Sequence, residues 1–387
     1  MKYVVCVPDG AADEPLADLG GKTPLEAAAM PNLAALAAQA EIGRAATIPA
    51  GFPPGSDVGN LSILGYDPAR YHTGRAPIEA AAMGLRLDPD QVAYRCNLVT
   101  VTPDGTMADF AGGHPTTAAA AEVLAALDEE LGGDGISFHP GVQYRHIMVA
   151  PRHRADAACT PPHDLTGQPA VLPTGPASAF LIDLMEASRK VLARFAGPDI
   201  AANQIWLWGQ GPQPEIPSFK DTYGLDARLV SAVDLVRGLG ALAKIPVVHV
   251  EGATGWYDTN YEGKRDACLE ALAGGTDLFL IHVEASDEAG HAGDVAAKVE
   301  ALENWDRRII GPLLDGLDAL GRWRLLLLPD HPTSLLTRTH TADAVPYLLA
   351  RSERDGPGGV YSEAGVADQP AVPGHELMSR LVGRAPV

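Results

Sequence analysis

Residues 3–7, 205–208, 247–250, 278–283 and 325–328 form short apolar runs, β-branched or leucine-rich, that do not alternate with polar residues. Strands covered on both faces of a parallel sheet read this way. Alanine- and leucine-rich stretches of helical period lie between them, at residues 24–40, 226–243, 263–273 and 295–320. Strand and helix in alternation predict an α/β fold with helices on both sides of a mostly parallel sheet. Thr23-Pro24-Leu25-Glu26 reads as a helix start, with Thr23 as N-cap and Pro24 at the first helical position. The residues just beyond the runs say more about function than the runs themselves. The first run leads into Asp9, the third into Glu251, the fourth into Glu284 and Asp287, and the fifth into Asp330 and His331. Ligands of open parallel sheets bind at the carboxyl ends of the strands, so these groups are predicted to meet along one edge.

Residues 86–202 read differently. Their apolar runs are shorter and more alternating, with one helix-like stretch and a loop rich in Pro, His and Asp. This is predicted to be a smaller α+β domain inserted between the first and second strands of the sheet, leaving residues 1–85 and 203–387 as the core. Twenty-nine basic against 49 acidic residues give a net charge of −20. That balance argues against a nucleic-acid groove or an anionic membrane surface as partner. The four cysteines show no CxxC spacing, which excludes a zinc ribbon and a disulfide-framed domain. The apolar run at the N-terminus is short for a signal peptide, and no run approaches the roughly 20 residues that span a bilayer. The expectation is a soluble, cytoplasmic protein; a homo-oligomer is compatible with the sequence.

Asp287 and His291 stand four apart, on one face of a helical turn, where a carboxylate and an imidazole can hold one divalent ion. Asp330-His331 comes after an apolar run, and Pro332 turns the chain there. His340 lies nine residues beyond His331, and Asp9-Gly10 closes the first run. Three aspartates and three histidines form a mixed oxygen and nitrogen set suited to Mn²⁺, Zn²⁺ or a similar ion. Each alone has a plain reading: Asp9 as a turn residue, Asp287 and His291 as an exposed face. Jointly, at strand ends, they predict a two-metal site. Ser56, in Pro54-Gly55-Ser56-Asp57, is the candidate nucleophile. Alone it would read as a helix N-cap. Beside a cation its hydroxyl would be activated without a histidine base.

Several segments carry a resemblance. They include Asp9-Gly10, Gly21-Lys22-Thr23-Pro24-Leu25-Glu26, Pro54-Gly55-Ser56-Asp57, Leu64-Gly65-Tyr66-Asp67-Pro68 and Thr73-Gly74-Arg75-Ala76-Pro77. Further on come Tyr257-Asp258-Thr259-Asn260-Tyr261-Glu262-Gly263-Lys264, Asp330-His331-Pro332 and Thr339-His340-Thr341-Ala342-Asp343. Together they resemble the archaeal-type cofactor-independent phosphoglycerate mutases of the alkaline phosphatase superfamily. The resemblance implies an alkaline-phosphatase-like core with two divalent ions and no organic cofactor. Mn²⁺ is favoured, with Zn²⁺, Co²⁺ or Mg²⁺ also compatible. It implies transient phosphorylation of Ser56. Asp9, Ser56, Asp330 and His331 would hold one ion, and Asp287, His291 and His340 the other. His375 is a rival third imidazole; the Thr-His-Thr context favours His340. Asn60 departs from the histidine many archaeal members carry there.

The reaction expected is interconversion of 3-phosphoglycerate and 2-phosphoglycerate, with the insertion closing as a lid. Arg75, Arg145, His114, Lys264 and Arg338 are the candidates for gripping a small phosphorylated carboxylic acid. The nearest rival is a phosphomonoesterase or phosphodiesterase using the same serine and ions. A homoserine-kinase-like phosphotransferase ranks lower, since the sequence has no P-loop and no kinase glycine-rich and lysine set. A non-catalytic metal-binding protein would not need Ser56.

Overall fold

The computed structural model describes residues 1–384 and divides the chain into two units, Met1–His72 with Ile216 onward, and Thr73–Glu215. Fourteen strands, β1 to β14, run along the described residues. In the first unit, β1 (Lys2–Pro8), β2 (Glu41–Ala46), β8 (Ala227–Val230), β9 (Leu278–Val283), β10 (Trp323–Leu327), β13 (Val345–Arg351) and β14 (Ala371–Pro373) form one sheet. Their order is β14-β2-β13-β10-β1-β9-β8. β1 is parallel to both neighbours: Val5 lies opposite Leu326 of β10 and Leu280 of β9. These side chains are essentially inaccessible, which is why all three strands read as unbroken apolar runs. The pairs Pro8–Val283 and Cys6–Leu327 bring the three strands to one edge together. Asp9, Glu284 and Asp330 leave the sheet there. On the far side, β13 is antiparallel to β10 and to β2, so the sheet is mixed but mostly parallel.

The helices follow local chemistry. Thr23 accepts from the Glu26 amide while Glu26 reaches back to the Thr23 amide, the capping box expected of Pro24–Ala27. The predicted helix at 295–320 is present as Val295–Trp305 and Gly311–Leu320, joined by a π-helical turn at Asp306–Ile310. Pro312 has no N–H for the Arg308 carbonyl one turn back, and Arg265 Nη1 donates to it instead, at 3.0 Å. Asp306 in that turn accepts from the Leu33 amide at 2.7 Å and the Asn32 side chain at 2.9 Å, tying down the start of the helix Pro31–Ala37.

Two predicted elements differ. The start of the 226–243 stretch is β8, and only Asp234–Leu242 is helical. The expected strand at 247–250 reduces to a single bridge between Val247 and Leu229. β8 occupies the place beside β9, and Val247 is left 36% exposed at the sheet edge.

The second unit holds β3 (Gln91–Val101), β4 (Met107–Asp109), β5 (Ser137–Val142), β6 (Arg145–Pro151) and β7 (Gln204–Gly211) in an antiparallel sheet. The run at 205–208 therefore belongs to this sheet and not to the parallel one. It does not alternate because both faces are covered. Helices Thr117–Leu131 and Ser178–Leu192 contribute to the core cluster with Trp206, and helix Arg75–Ala82 packs against β3 and β7. Residues 73–85 and 203–215 accordingly lie in the second unit.

Candidate active site

The edge where β1, β9 and β10 end carries the candidate site. Asp330 and His331 come after Leu328-Pro329, and both are wholly buried. Asp330 Oδ1 accepts from the amides of Gly10 at 3.2 Å and His331 at 3.1 Å; its Oδ2 accepts from Asn60 Nδ2 at 2.8 Å. Asn60 also donates to the Ser56 carbonyl at 3.0 Å, so it braces Asp330 against the helix Ser56–Ile63. Ser56 opens that helix, 7% exposed, with its Oγ 3.2 Å from His331 Nε2. The same nitrogen lies 3.6 Å from Asp9 Oδ1 and 3.4 Å from Asp330 Oδ2. Burial, opposed by the charge of Asp330, pulls the His331 imidazole down to about 4, so the ring is neutral near pH 7. Burial, reinforced by Asp330 and Asp287, pushes the Asp9 carboxyl up.

The second half sits on the helix Ala285–Ala292. Asp287 and His291 share its face as the spacing predicts, with His291 Nε2 3.4 Å from Asp287 Oδ2. His340 Nε2 lies 3.4 Å from Asp287 Oδ1 and 2.9 Å from His291 Nε2. His340 reaches this point because Thr333–Ser334 (β11) and Thr339–His340 (β12) pair as a ribbon just after Pro332. His291 Nδ1 donates to the Arg338 carbonyl at 3.0 Å, which turns Nε2 toward Asp287 and His340. Burial alone would lower the His291 pKa; Asp287 outweighs it and raises it to about 9.

The residues fit divalent cations. Asp287, His291 and His340 offer ligand atoms that all lie within 4.8 Å of one another, as do Asp9, Asp287 and His331, and Asp9, His282 and Asp330. Asp9 Oδ1 and His282 Nε2 are buried without a hydrogen-bond partner. Buried carboxylates this close, with an orphaned oxygen among them, are costly unless positive charge sits between them. His375 joins no such cluster among the described residues, whereas His340 stands with Asp287 and His291.

His282 is a site residue the sequence reading missed. Its Nε2 is 3.4 Å from Asp9 Oδ2, its Nδ1 3.0 Å from Glu284 Oε1. Glu284 Oε2 is 2.6 Å from Lys264 Nζ, and all three side chains are buried. Lys264, expected to grip the substrate, is instead enclosed: it donates to Glu284 and to the His282 carbonyl at 2.9 Å. The signal for this group was His282 interrupting an apolar strand. Arg338 contributes its backbone carbonyl to His291; its side chain is exposed, at a residue with φ 57°.

The remaining expected grips lie in the second unit. Arg75 Nε is 3.1 Å from Glu79 Oε1, and its guanidinium lies 5.7 Å from the Trp208 ring. Arg145 packs over Tyr144 at 5.6 Å, with His114 edge-on to the same ring at 5.5 Å. Arg95 was missed. It is 4% exposed in the middle of β3, 2.8 Å from Glu79 Oε1 and 4.8 Å from the Trp208 ring. Burial, partly offset by Glu79, brings it down to about 10. An arginine inside an apolar strand was the available signal.

A family model described as 2,3-bisphosphoglycerate-independent phosphoglycerate mutase matches residues 37–195. The chain is 51% identical to the enzyme of that name from Methanothrix thermoacetophila, over 91% of each chain. It is 45% identical to a probable enzyme of that name from Geobacter sulfurreducens, over 99% of this chain and 100% of the other. Among solved structures, the cofactor-independent phosphoglycerate mutase of Thermoplasma acidophilum superposes with a TM-score of 0.64 at 25% identity, covering 99% of each chain. A Pyrococcus horikoshii protein superposes at 0.80 with 27% identity, over 99% of this chain and 98% of that one. A clustered Ser, Asp and His edge in an α/β core, with this likeness along nearly the whole length, places the chain in the family of 2,3-bisphosphoglycerate-independent phosphoglycerate mutases.

Proposed function

We propose that this chain interconverts 3-phosphoglycerate and 2-phosphoglycerate through a phosphoserine at Ser56, without an organic cofactor and in the cytoplasm. The observation that carries this reading is Ser56 Oγ lying 3.2 Å from His331 Nε2, in an Asp/His cluster that shares Asp287 with the His291 and His340 cluster. Asp9, Ser56, Asp330 and His331 would hold one divalent cation, and Asp287, His291 and His340 the other. Mn²⁺ is favoured; Zn²⁺, Co²⁺ and Mg²⁺ suit the same donors. Such cations supply positive charge beside the serine hydroxyl and the phosphoryl oxygens.

The chain's own residues do the rest. Ser56 Oγ attacks phosphorus in line, forming the Oγ–P bond as the P–O bond to glycerate breaks, and the glycerate oxygen takes up a proton. Asn60 holds the helix that carries Ser56 to Asp330, so the nucleophile keeps its aim. Glycerate turns, and its other hydroxyl attacks the phosphoserine, forming a new P–O bond as the Oγ–P bond breaks and giving up a proton that returns to Ser56 Oγ. Arg75, Arg145 and His114 of the second unit would bind the carboxylate and hold the alcohol between the half-reactions. That unit would act as the lid that keeps water out.

Hydrolysis is the second reading, because the same serine and cations with water as acceptor make a phosphatase. Phosphorus-31 NMR separates them. Protein with Mn²⁺ and 3-phosphoglycerate is expected to give a 2-phosphoglycerate resonance without 2,3-bisphosphoglycerate; inorganic phosphate as the sole product overturns the mutase reading.

A further inference from the structure

Thr333 belongs to neither ligand set, yet it touches both. It is fully buried at the start of the β11–β12 ribbon, paired across it with His340. Its Oγ1 lies 2.5 Å from Asp287 Oδ1 and 3.3 Å from His331 Nδ1. A carboxylate only accepts, so the Thr333 hydroxyl proton goes to Asp287. The hydroxyl then faces His331 with a lone pair, and Nδ1 must carry the imidazole proton. That leaves Nε2 of His331 as a bare lone pair, aimed at Ser56, Asp9 and Asp330. The polarity runs one way, from His331 through Thr333 to Asp287.

The surroundings hold Thr333 in this place. Lys298 Nζ donates to its carbonyl at 2.6 Å. A Cβ on Gly10, beside Asp9, would collide with Thr333 Oγ1, and one on Gly290, beside His291, would fall 2.6 Å from its Cγ2. Both glycines leave the room that the threonine occupies.

We infer that Thr333 is a positioning residue that couples the two cation sites, fixing the His331 tautomer in one and the Asp287 carboxylate in the other through a single hydroxyl. The inference rests on the two-cation reading of the site. It is tested on metal-stripped protein without substrate, by titrating Mn²⁺ and following the paramagnetic resonance of the free ion. Removing an outer-shell partner weakens metal binding by about 10- to 100-fold. Thr333→Val is expected to lose that much at both sites, while Thr333→Ser, which keeps the hydroxyl, restores both. Nitrogen-15 NMR of the wild type should find the His331 proton on Nδ1, a readout that does not depend on the valine variant folding. Wild-type Mn²⁺ constants in Thr333→Val, a loss confined to one site, or a proton on Nε2 overturns the inference while leaving the site intact. A wild type that binds no divalent cation overturns the site reading and the inference with it. Good binding with no isomerisation of phosphoglycerate overturns the function alone.

Discussion

Lys298 offers a sharp test of what holds the metal edge together. It sits on the helix Val295–Trp305 with no accessible surface, and its ammonium donates to Asp13 Oδ2 at 2.7 Å, the Thr333 carbonyl at 2.6 Å and the Ala12 carbonyl at 3.3 Å. All three protons are used. Burial lowers its pKa and Asp13 opposes the shift. In Lys298→Met, Asp13 keeps only neutral donors, the amides of Leu335 at 3.2 Å and Glu14 at 2.9 Å, for a buried negative charge. Breaking a buried pair from one side costs about 3–5 kcal/mol. In a unit of this size that corresponds to a melting-point fall of roughly 6–20 °C. With a urea m-value of about 2–3 kcal/mol/M, the unfolding midpoint should drop by roughly 1–2.5 M. Trp305 and Trp323, both buried in this unit, report the transition by fluorescence. The double variant Asp13→Leu/Lys298→Met removes both charges and should recover most of the loss, because a buried pair is often worth no more than an apolar substitute. A single variant that loses less than about 1 kcal/mol, or a double variant as unstable as the single, would refute the claim that an uncompensated charge is the cause.

Ser56→Ala should abolish isomerisation, by more than about 1,000-fold in kcat, while melting at the wild-type temperature; retained turnover removes the phosphoserine route. Chelation of divalent ions should lower the melting temperature and abolish turnover, and added Mn²⁺ should restore both, since a ligand that binds only the folded state stabilises it; a chelator-insensitive melt argues against cations in the cluster. Arg75→Ala should raise KM for phosphoglycerate and spare Mn²⁺ binding, which steady-state kinetics and titration check separately. His146 sets an acid limit on the second unit. Burial, then the charge of Arg95, pulls it down to about 3. The unfolded chain binds this proton below the ordinary histidine pKa near 6.5 and the folded chain does not. Stability contributed by the neutral ring is therefore intact above pH 6.5 and lost as pH falls toward 3, at about 1.4 kcal/mol per pH unit. His146→Gln should flatten the slope of urea midpoint against pH over that window, and an unchanged slope rules His146 out as its source.

The parts of the site that sequence made legible are those where chemistry is adjacent along the chain. Asp330 and His331 are neighbours, Asp287 and His291 share a helical turn, and Asp9 ends a strand whose five inner residues are buried. Each could be read from a period or a strand end. The sheet failed where burial on both faces has two origins. Residues 205–208 are apolar on both faces because helices cover an antiparallel sheet on both sides, and a run of four residues cannot reveal its partner's direction. Residues 247–250 failed for the opposite reason: their composition suits a strand, and β8 already holds the place beside β9.

The groups that brace the ligands were beyond reach because their partners are remote. Lys298 meets Asp13 across 285 positions, Asn60 meets Asp330 across 270, and Thr333 meets Asp287 across 46. No local pattern distinguishes such a lysine from a solvated one; the distinction exists only once the sheet has brought the strand ends together. Lys264 shows the cost of that gap. A lysine just after a polar, aromatic segment looks like a hand for an anionic substrate, and its actual work is to neutralise Glu284, which in turn faces His282 and, through it, Asp9. The acidic strand ends that mark the edge in the sequence therefore require buried cations of their own. Glu284 is satisfied by a side chain, and Asp9, Asp287 and Asp330 are left with imidazoles, amides and hydroxyls. That division suits the binding of divalent cations: one carboxylate is neutralised behind the site, and three are left without a buried ammonium of their own.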